Sequence, residues 1–329
     1  MISERIRYFD IAKGILIILL VFAHFRSAVI RLPFESPYFE YVYGWNSIFT
    51  CFYMPAFFLI SGYCSNFNKP VKTFLTAQLK TLLLPIITLS FLTVVATSAI
   101  YHENVLERIT ASALRGGELW FLWALFWGKI IVYLVEIIRP SGGGYKVIVT
   151  LFLLVLGVAL NQYKIGENIL YYQHGLIASL WIHVGYCLRL YPTIYEKSLK
   201  WSLVVYPLVA VASFFKDASI VAGIYISILT IPLHLVYAYT GTMFLLAICK
   251  NIRTCRWLEL WGRNSLVVYA LHFVPLLFFA NSLWTVFEPQ TVILFMLYFV
   301  TLYAVEYGIC WLLIWLFQYR PFSWLIGKF

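Results

Sequence analysis

Apolar residues fall in ten runs long enough to cross a bilayer, at about 11–31, 44–65, 77–100, 118–138, 145–160, 169–190, 200–215, 218–249, 264–284 and 291–318. A spanning helix needs roughly 20 mainly apolar residues, because each residue advances only ~1.5 Å through a hydrocarbon layer about 30 Å thick. The run 218–249 exceeds one straight span, and Pro232 marks a place where it would divide, raising the count to eleven. Polar connections are short, the longest at about 101–117 and 250–263. Any chemistry therefore sits within the helix bundle or at its mouths. The pattern predicts an all-α fold, a polytopic membrane protein of about ten transmembrane helices forming a single domain over residues 1–329.

Charge sets the orientation. With the N-terminus in the cytoplasm, seventeen of the twenty-four Lys and Arg residues fall on inner tails and loops. The outer side keeps Arg26, Arg31, Arg108, Arg115, Lys164 and Lys216, while Lys129 lies inside a span. This bias predicts that both N- and C-termini are cytoplasmic. Composition agrees with a multi-pass protein of the cell membrane: hydrophobic residues make up 62% and charged ones 12%. The net charge of +10 is explained by the loops, and no basic stripe stands free of the apolar runs, so no nucleic-acid partner is expected. The six cysteines lack CxxC spacing and most, lying inside apolar runs, read as packing residues; no metal site is expected. Gly142-Gly143-Gly144 reads as a turn, since no strand or Lys-Ser/Thr signature makes it a phosphate loop.

Polar residues inside the runs carry more information, because ionisable groups at membrane depth are costly and face a protein interior or a water-filled cavity. The first run reads Arg7…Asp10…Lys13, ten apolar positions from Gly14 to Ala23, then His24. Lys13 and His24 are eleven residues apart, which in a helix is three turns plus about 20° and roughly 16 Å. They share one face, Lys13 near the membrane surface and His24 well inside. A signal-anchor helix would account for the basic residues but not for His24. In span two, Pro55 and Ser61-Gly62 suggest a kinked packing helix or close approach of a ligand. Lys72 and Lys80 precede Pro85 in span three, where they either snorkel to headgroups or meet an anionic cofactor. Lys129 and Glu306, at similar depth, are expected to form an ion pair. Ser265, Tyr269 and His272 follow i, i+4, i+7 spacing, as interhelical contacts or as a cavity wall. His183 and His234 read as satisfied core histidines.

Taken together, these stretches resemble the acyltransferase 3 family of integral-membrane acyltransferases. The matching segments are Arg7…Asp10…Lys13-Gly14…His24, Phe52–Gly62, Leu119-Trp120-Phe121-Leu122 and Gly262…Asn264-Ser265…Tyr269…His272, in family order over nearly the whole chain. The short chain is similar to the sugar O-acetylase, fucose-acetylase-like subgroup. The sequence departs from the family pattern in having only Lys80 close to Pro85, and Glu118 where His often precedes Leu-Trp-Phe-Leu.

The resemblance implies transfer of an acetyl group from acetyl-CoA to a hydroxyl of a cell-surface glycan or its lipid-linked sugar precursor. Acyl transfer needs a group that takes the hydroxyl proton or carries the acyl group. His24 is assigned that role, as general base or as a transient acyl-imidazole, with Asp10 positioning Lys13. Lys13, Lys80 and Arg263 are the candidates to hold the CoA phosphates. Glu118 and Trp120 at the outer mouth, with Ser265, Tyr269 and His272, are the candidates for the acceptor side. The competing reading is a transporter or flippase whose intramembrane charges line a solute path. N-acetylation of an amino sugar differs only in the acceptor. The sequence leaves the oligomeric state unassigned.

Overall fold

Each of the ten apolar runs contains helix, and no strand occurs among the described residues. The structure, a computed structural model, describes residues 6–29, 38, 46–117, 119–138, 143–166, 169–216, 218–219 and 226–327. The chain opens with α1 (Arg7–Val29), followed by a short α2 (Ser47–Thr50) and α3 (Tyr53–Tyr63). The long α4 (Val71–Tyr101) contains one π turn, Leu79–Leu83, just before Pro85. Proline has no N–H and crowds the carbonyl four residues back, and a widened turn relieves both effects. After α5 (Val105–Arg115) come α6 (Trp120–Ile138), α7 (Gly143–Gln162), α8 (Tyr172–Leu190) and α9 (Pro192–Ser213). The last part holds α10 (Ile231–Asn251), α11 (Arg256–Arg263), α12 (Ser265–Leu271), α13 (Phe273–Phe287), α14 (Val292–Leu316) and α15 (Phe322–Leu325).

Six of these helices are long and apolar enough to cross a membrane, and α12 with α13, bent by 48°, makes a seventh as a broken span. Pro275 stands at the third position of α13 and cannot bond back to Leu271, so the chain bends at His272. The runs at 44–65, 169–190 and 200–215 are helical but shorter or more polar; α8 and α9 contain His174, His183, Arg189, Glu196 and Lys197. Prolines act differently from the expectation. Pro232 lies in the first turn of α10, where a missing N–H is harmless, so it starts the helix instead of dividing it. Pro55 likewise falls in the first turn of α3, and the break in the second run lies at Cys51–Phe52. The two longest connections are themselves partly helical, as α5 and α11.

Glycines let the helices meet closely. A Cβ on Gly62 would overlap the carbonyl of Ile182, and one on Gly185 the carbonyl of Leu59, so α3 and α8 touch backbone to backbone. The same holds for α1 and α11: Gly14 faces the Leu258 carbonyl and Gly262 the Asp10 carbonyl. Close approach through small residues is how helices associate where lipid removes the hydrophobic drive. Outward faces stay apolar, as at Phe91 on α4 and Ile293 and Val300 on α14. Such a surface fits lipid and would be costly in water.

Candidate functional site

Between α1, α3, α6 and α12 lies a cavity of about 230 Å³. Its α1 wall is Lys13, Ile17 and Leu20, one face of the helix in i, i+4, i+7 steps. Met54 and Phe57 of α3, Leu122 and Leu125 of α6, and Leu266 of α12 make the remainder largely apolar. Polar groups collect at one end: Lys13, Ser61, Cys64 and Ser265. The space is amphipathic, with a cationic mouth and a greasy shaft.

Asp10, buried one turn before Lys13, organises that mouth. Its Oδ1 lies 2.8 Å from Lys13 Nζ and its Oδ2 3.5 Å from Arg263 Nε. Arg263 in turn contacts Glu259 at 3.1 Å. The glycine contact between α1 and α11 brings these four side chains together, since Gly262 sits directly on the Asp10 carbonyl.

Beyond Leu20, on the same face of α1, stands His24. Its Nδ1 is 2.9 Å from the Leu20 carbonyl and 3.3 Å from His272 Nε2. His272, buried at the bend between α12 and α13, places its own Nδ1 2.8 Å from the Val268 carbonyl and 3.0 Å from the Tyr269 carbonyl. Carbonyls only accept, so each Nδ1 carries its proton, and His272 Nε2 is an acceptor for His24. That assignment leaves the lone pair of His24 on Nε2.

Tyr269 lines the cavity and accepts the Phe121 backbone N–H at 3.1 Å, a donor otherwise orphaned at the start of α6. Of the Ser265–Tyr269–His272 stripe, Ser265 and Tyr269 are cavity wall, and Tyr269 and His272 make interhelical contacts. Trp120 is buried against His174, ring centroids 5.2 Å apart, and does not face the cavity directly. Lys80 is exposed on the π turn of α4, beside Gly327. Glu118 lies outside the described residues.

One expected pair does not form. Lys129 and Glu306 sit on helices with different neighbours: α6 packs on α8, α7 and α3, whereas α14 packs on α13 and α12. Glu306 contacts Cys310 instead, at 3.5 Å. His234 is a satisfied core histidine, between Trp181 Nε1 and the Ala218 carbonyl. His183 is more than that: it joins Thr150 and a buried Glu136–Lys146 ion pair, with Lys146 Nζ 2.6 Å from Glu136. Cys64, read as a packing residue, is exposed at the cavity mouth. Helical spacing with Ser61 and Phe57 was the signal for it.

A bundle of apolar helices in which Lys13 lines an amphipathic cavity and His24 follows on the same face of α1 defines an integral-membrane protein. The family profile described as an acyltransferase domain matches residues 6–325, and the chain belongs to the acyltransferase 3 family. That membership supports membrane acyltransferase activity. No curated protein and no solved structure matches the chain.

Proposed function

We propose that the protein transfers an acetyl group from cytoplasmic acetyl-CoA to a hydroxyl of a cell-surface polysaccharide or its lipid-linked precursor, as a sugar O-acetylase of the cell membrane. The observation that carries this reading is the α1 wall of the cavity, which runs from Lys13 through Ile17 and Leu20 to the turn bearing His24. Along a helix that path is roughly 16 Å, the reach of a pantetheine arm. Lys13 and Arg263, held by Asp10, meet the CoA phosphates at the mouth, and the apolar shaft takes the arm. The reading has both termini in the cytoplasm and ten spans, so that the donor enters from the Lys13 end.

His24 Nε2 takes the proton of the sugar hydroxyl as its oxygen attacks the thioester carbonyl. The C–S bond breaks, and the CoA thiolate takes that proton from the imidazolium, giving an acetyl ester and free CoA. If the Nε2 lone pair attacks the thioester first, the C–S bond breaks and CoA leaves as the thiolate. The hydroxyl oxygen then attacks the acyl-imidazolium, the C–N bond breaks, and the hydroxyl proton goes to the thiolate, giving the same ester and free CoA. Either route needs the tautomer that the Leu20 carbonyl and His272 select.

The test is replacement of His24 with Ala, with acetyl transfer read by mass spectrometry of surface glycans and by thiol release from acetyl-CoA in nanodiscs. Transfer should fall by about 10²–10⁴-fold, the usual contribution of a positioned acid–base group. Undiminished transfer by a correctly inserted His24→Ala protein would eliminate the mechanism.

A further inference from the structure

Of the two charged residues inside α6, Glu136 is paired with Lys146, whereas Lys129 is used by no contact described above and lies on the helix face that bears the cavity-lining Leu122 and Leu125. Leu122 and Leu125 line the cavity; Lys129 follows at i+7 and i+4 from them, on the same face and one turn nearer the mouth. Its side chain is half-buried, and among the described residues no acid comes within ion-pair distance. Lys129 and Lys13 both lie within electrostatic reach of Cys64 at the cavity mouth, together with Arg189. The acid in that group is Asp10, already bridging Lys13 and Arg263. An ammonium at membrane depth without a carboxylate partner is costly unless something supplies the charge.

We infer that Lys129 is a second cation of the cavity mouth, opposite Lys13, and that its counter-charge is a phosphate group of the bound ligand. The inference rests on the acyltransferase reading for the cavity's purpose but names a contact that reading does not require. Two amines converging from α1 and α6 on a passage with apolar walls suit a ligand with an anionic head and a long thin tail. A pyrophosphate on a pantetheine arm has that form, and so does a phosphate on a polyprenyl chain that carries the sugar acceptor. The chemistry recognised is the same in both: non-bridging phosphate oxygens accepting charge-assisted hydrogen bonds from Nζ.

The experiment measures dissociation constants in nanodiscs for four probes: acetyl-CoA, S-acetylpantetheine, a polyprenyl phosphate and the matching polyprenol. Lys129→Met should weaken acetyl-CoA about tenfold and leave S-acetylpantetheine unchanged, with Lys129→Arg restoring most of the loss. If the loss falls on polyprenyl phosphate relative to polyprenol instead, the phosphate contact stands and its source is the acceptor. Equal effects on phosphorylated and unphosphorylated probes, or no effect on any, overturn the inference. So does a wild-type protein that binds neither phosphorylated probe. The melting temperature is read in parallel: a lysine with only a structural role would move it without changing the ratio between paired probes. A wild-type protein that binds acetyl-CoA while Lys129→Met is silent refutes the Lys129 contact and leaves the acetylation reading intact. Intact transfer by His24→Ala does the reverse.

Discussion

At the scale of the residue, the decisive contact joins two imidazoles 248 positions apart. His272 does not reach the cavity, yet its Nε2 accepts the proton that fixes His24 in one tautomer. A base whose lone pair points at a carbonyl is useless, so His272→Ala should lower kcat by at least tenfold and leave KM for acetyl-CoA nearly unchanged. His272→Gln, which keeps an acceptor, should recover part of the loss. A KM effect without a kcat effect would show that His272 only shapes the cavity. In the proposed reaction Asp10 acts on binding instead. It sits buried between Lys13 and Arg263, and Asp10→Asn keeps the shape while removing the charge. KM for acetyl-CoA should rise several-fold, and stability should fall by about 1.5–3 kcal/mol, the worth of hydrogen bonds to a charged group. Calorimetry and initial rates on the same preparation separate the two effects.

At the scale of the element, helix contacts made by glycine decide which faces meet. Gly262→Ala would drive a methyl into the Asp10 carbonyl and part α11 from α1, costing about 3 kcal/mol and loosening the Lys13–Arg263 group. Gly308 is the control. A Cβ there meets nothing within 4 Å, so Gly308→Ala should stabilise α14 by about 0.5–1 kcal/mol. Equal melting temperatures for the two variants would refute the close-contact account. The same scale explains what hydropathy revealed. Apolar length marks a helix whatever its neighbours, so all ten runs are legible, and the Lys13–His24 face follows from one helix's own geometry. What helix periodicity omits is the neighbour. Depth placed Lys129 level with Glu306, but α6 and α14 occupy different sides of the bundle. The His24–His272 contact depends on a bend at Pro275 that no periodic pattern encodes. Two short helices, α5 and α11, hide in polar connections. For α11 the i, i+3, i+4 spacing of Leu258, Trp261 and Gly262, all buried, carries the signal.

At the scale of the whole molecule, the cavity works as proposed only if its cationic mouth faces the cytosol, and the order of helices makes that testable site by site. Lys164 follows α7, Tyr191 separates α8 from α9, Lys216 follows α9 and Arg253 follows α10; all four are exposed. Helices α8 and α9 are too polar to qualify as spans by apolar length, with Glu196 and Lys197 near the start of α9. Yet α8 packs against α6, α3 and α7, touching α3 backbone to backbone at Gly62 and Gly185. Protein neighbours, in place of lipid, cover its polar residues: His183 and Lys146 meet Glu136, and His174 meets Trp120. In the ten-span reading, a helix shielded in this way can cross the bilayer without being uniformly apolar. Single cysteines at the four positions, probed with a membrane-impermeant maleimide on intact cells, should therefore alternate. Lys164→Cys and Lys216→Cys should label directly, whereas Tyr191→Cys and Arg253→Cys should label only after permeabilisation. Direct labelling of Tyr191→Cys would mean that α8 and α9 do not cross, reducing ten spans to eight. A fully inverted pattern would turn the Lys13 mouth away from cytosolic acetyl-CoA and remove the donor from the proposed reaction.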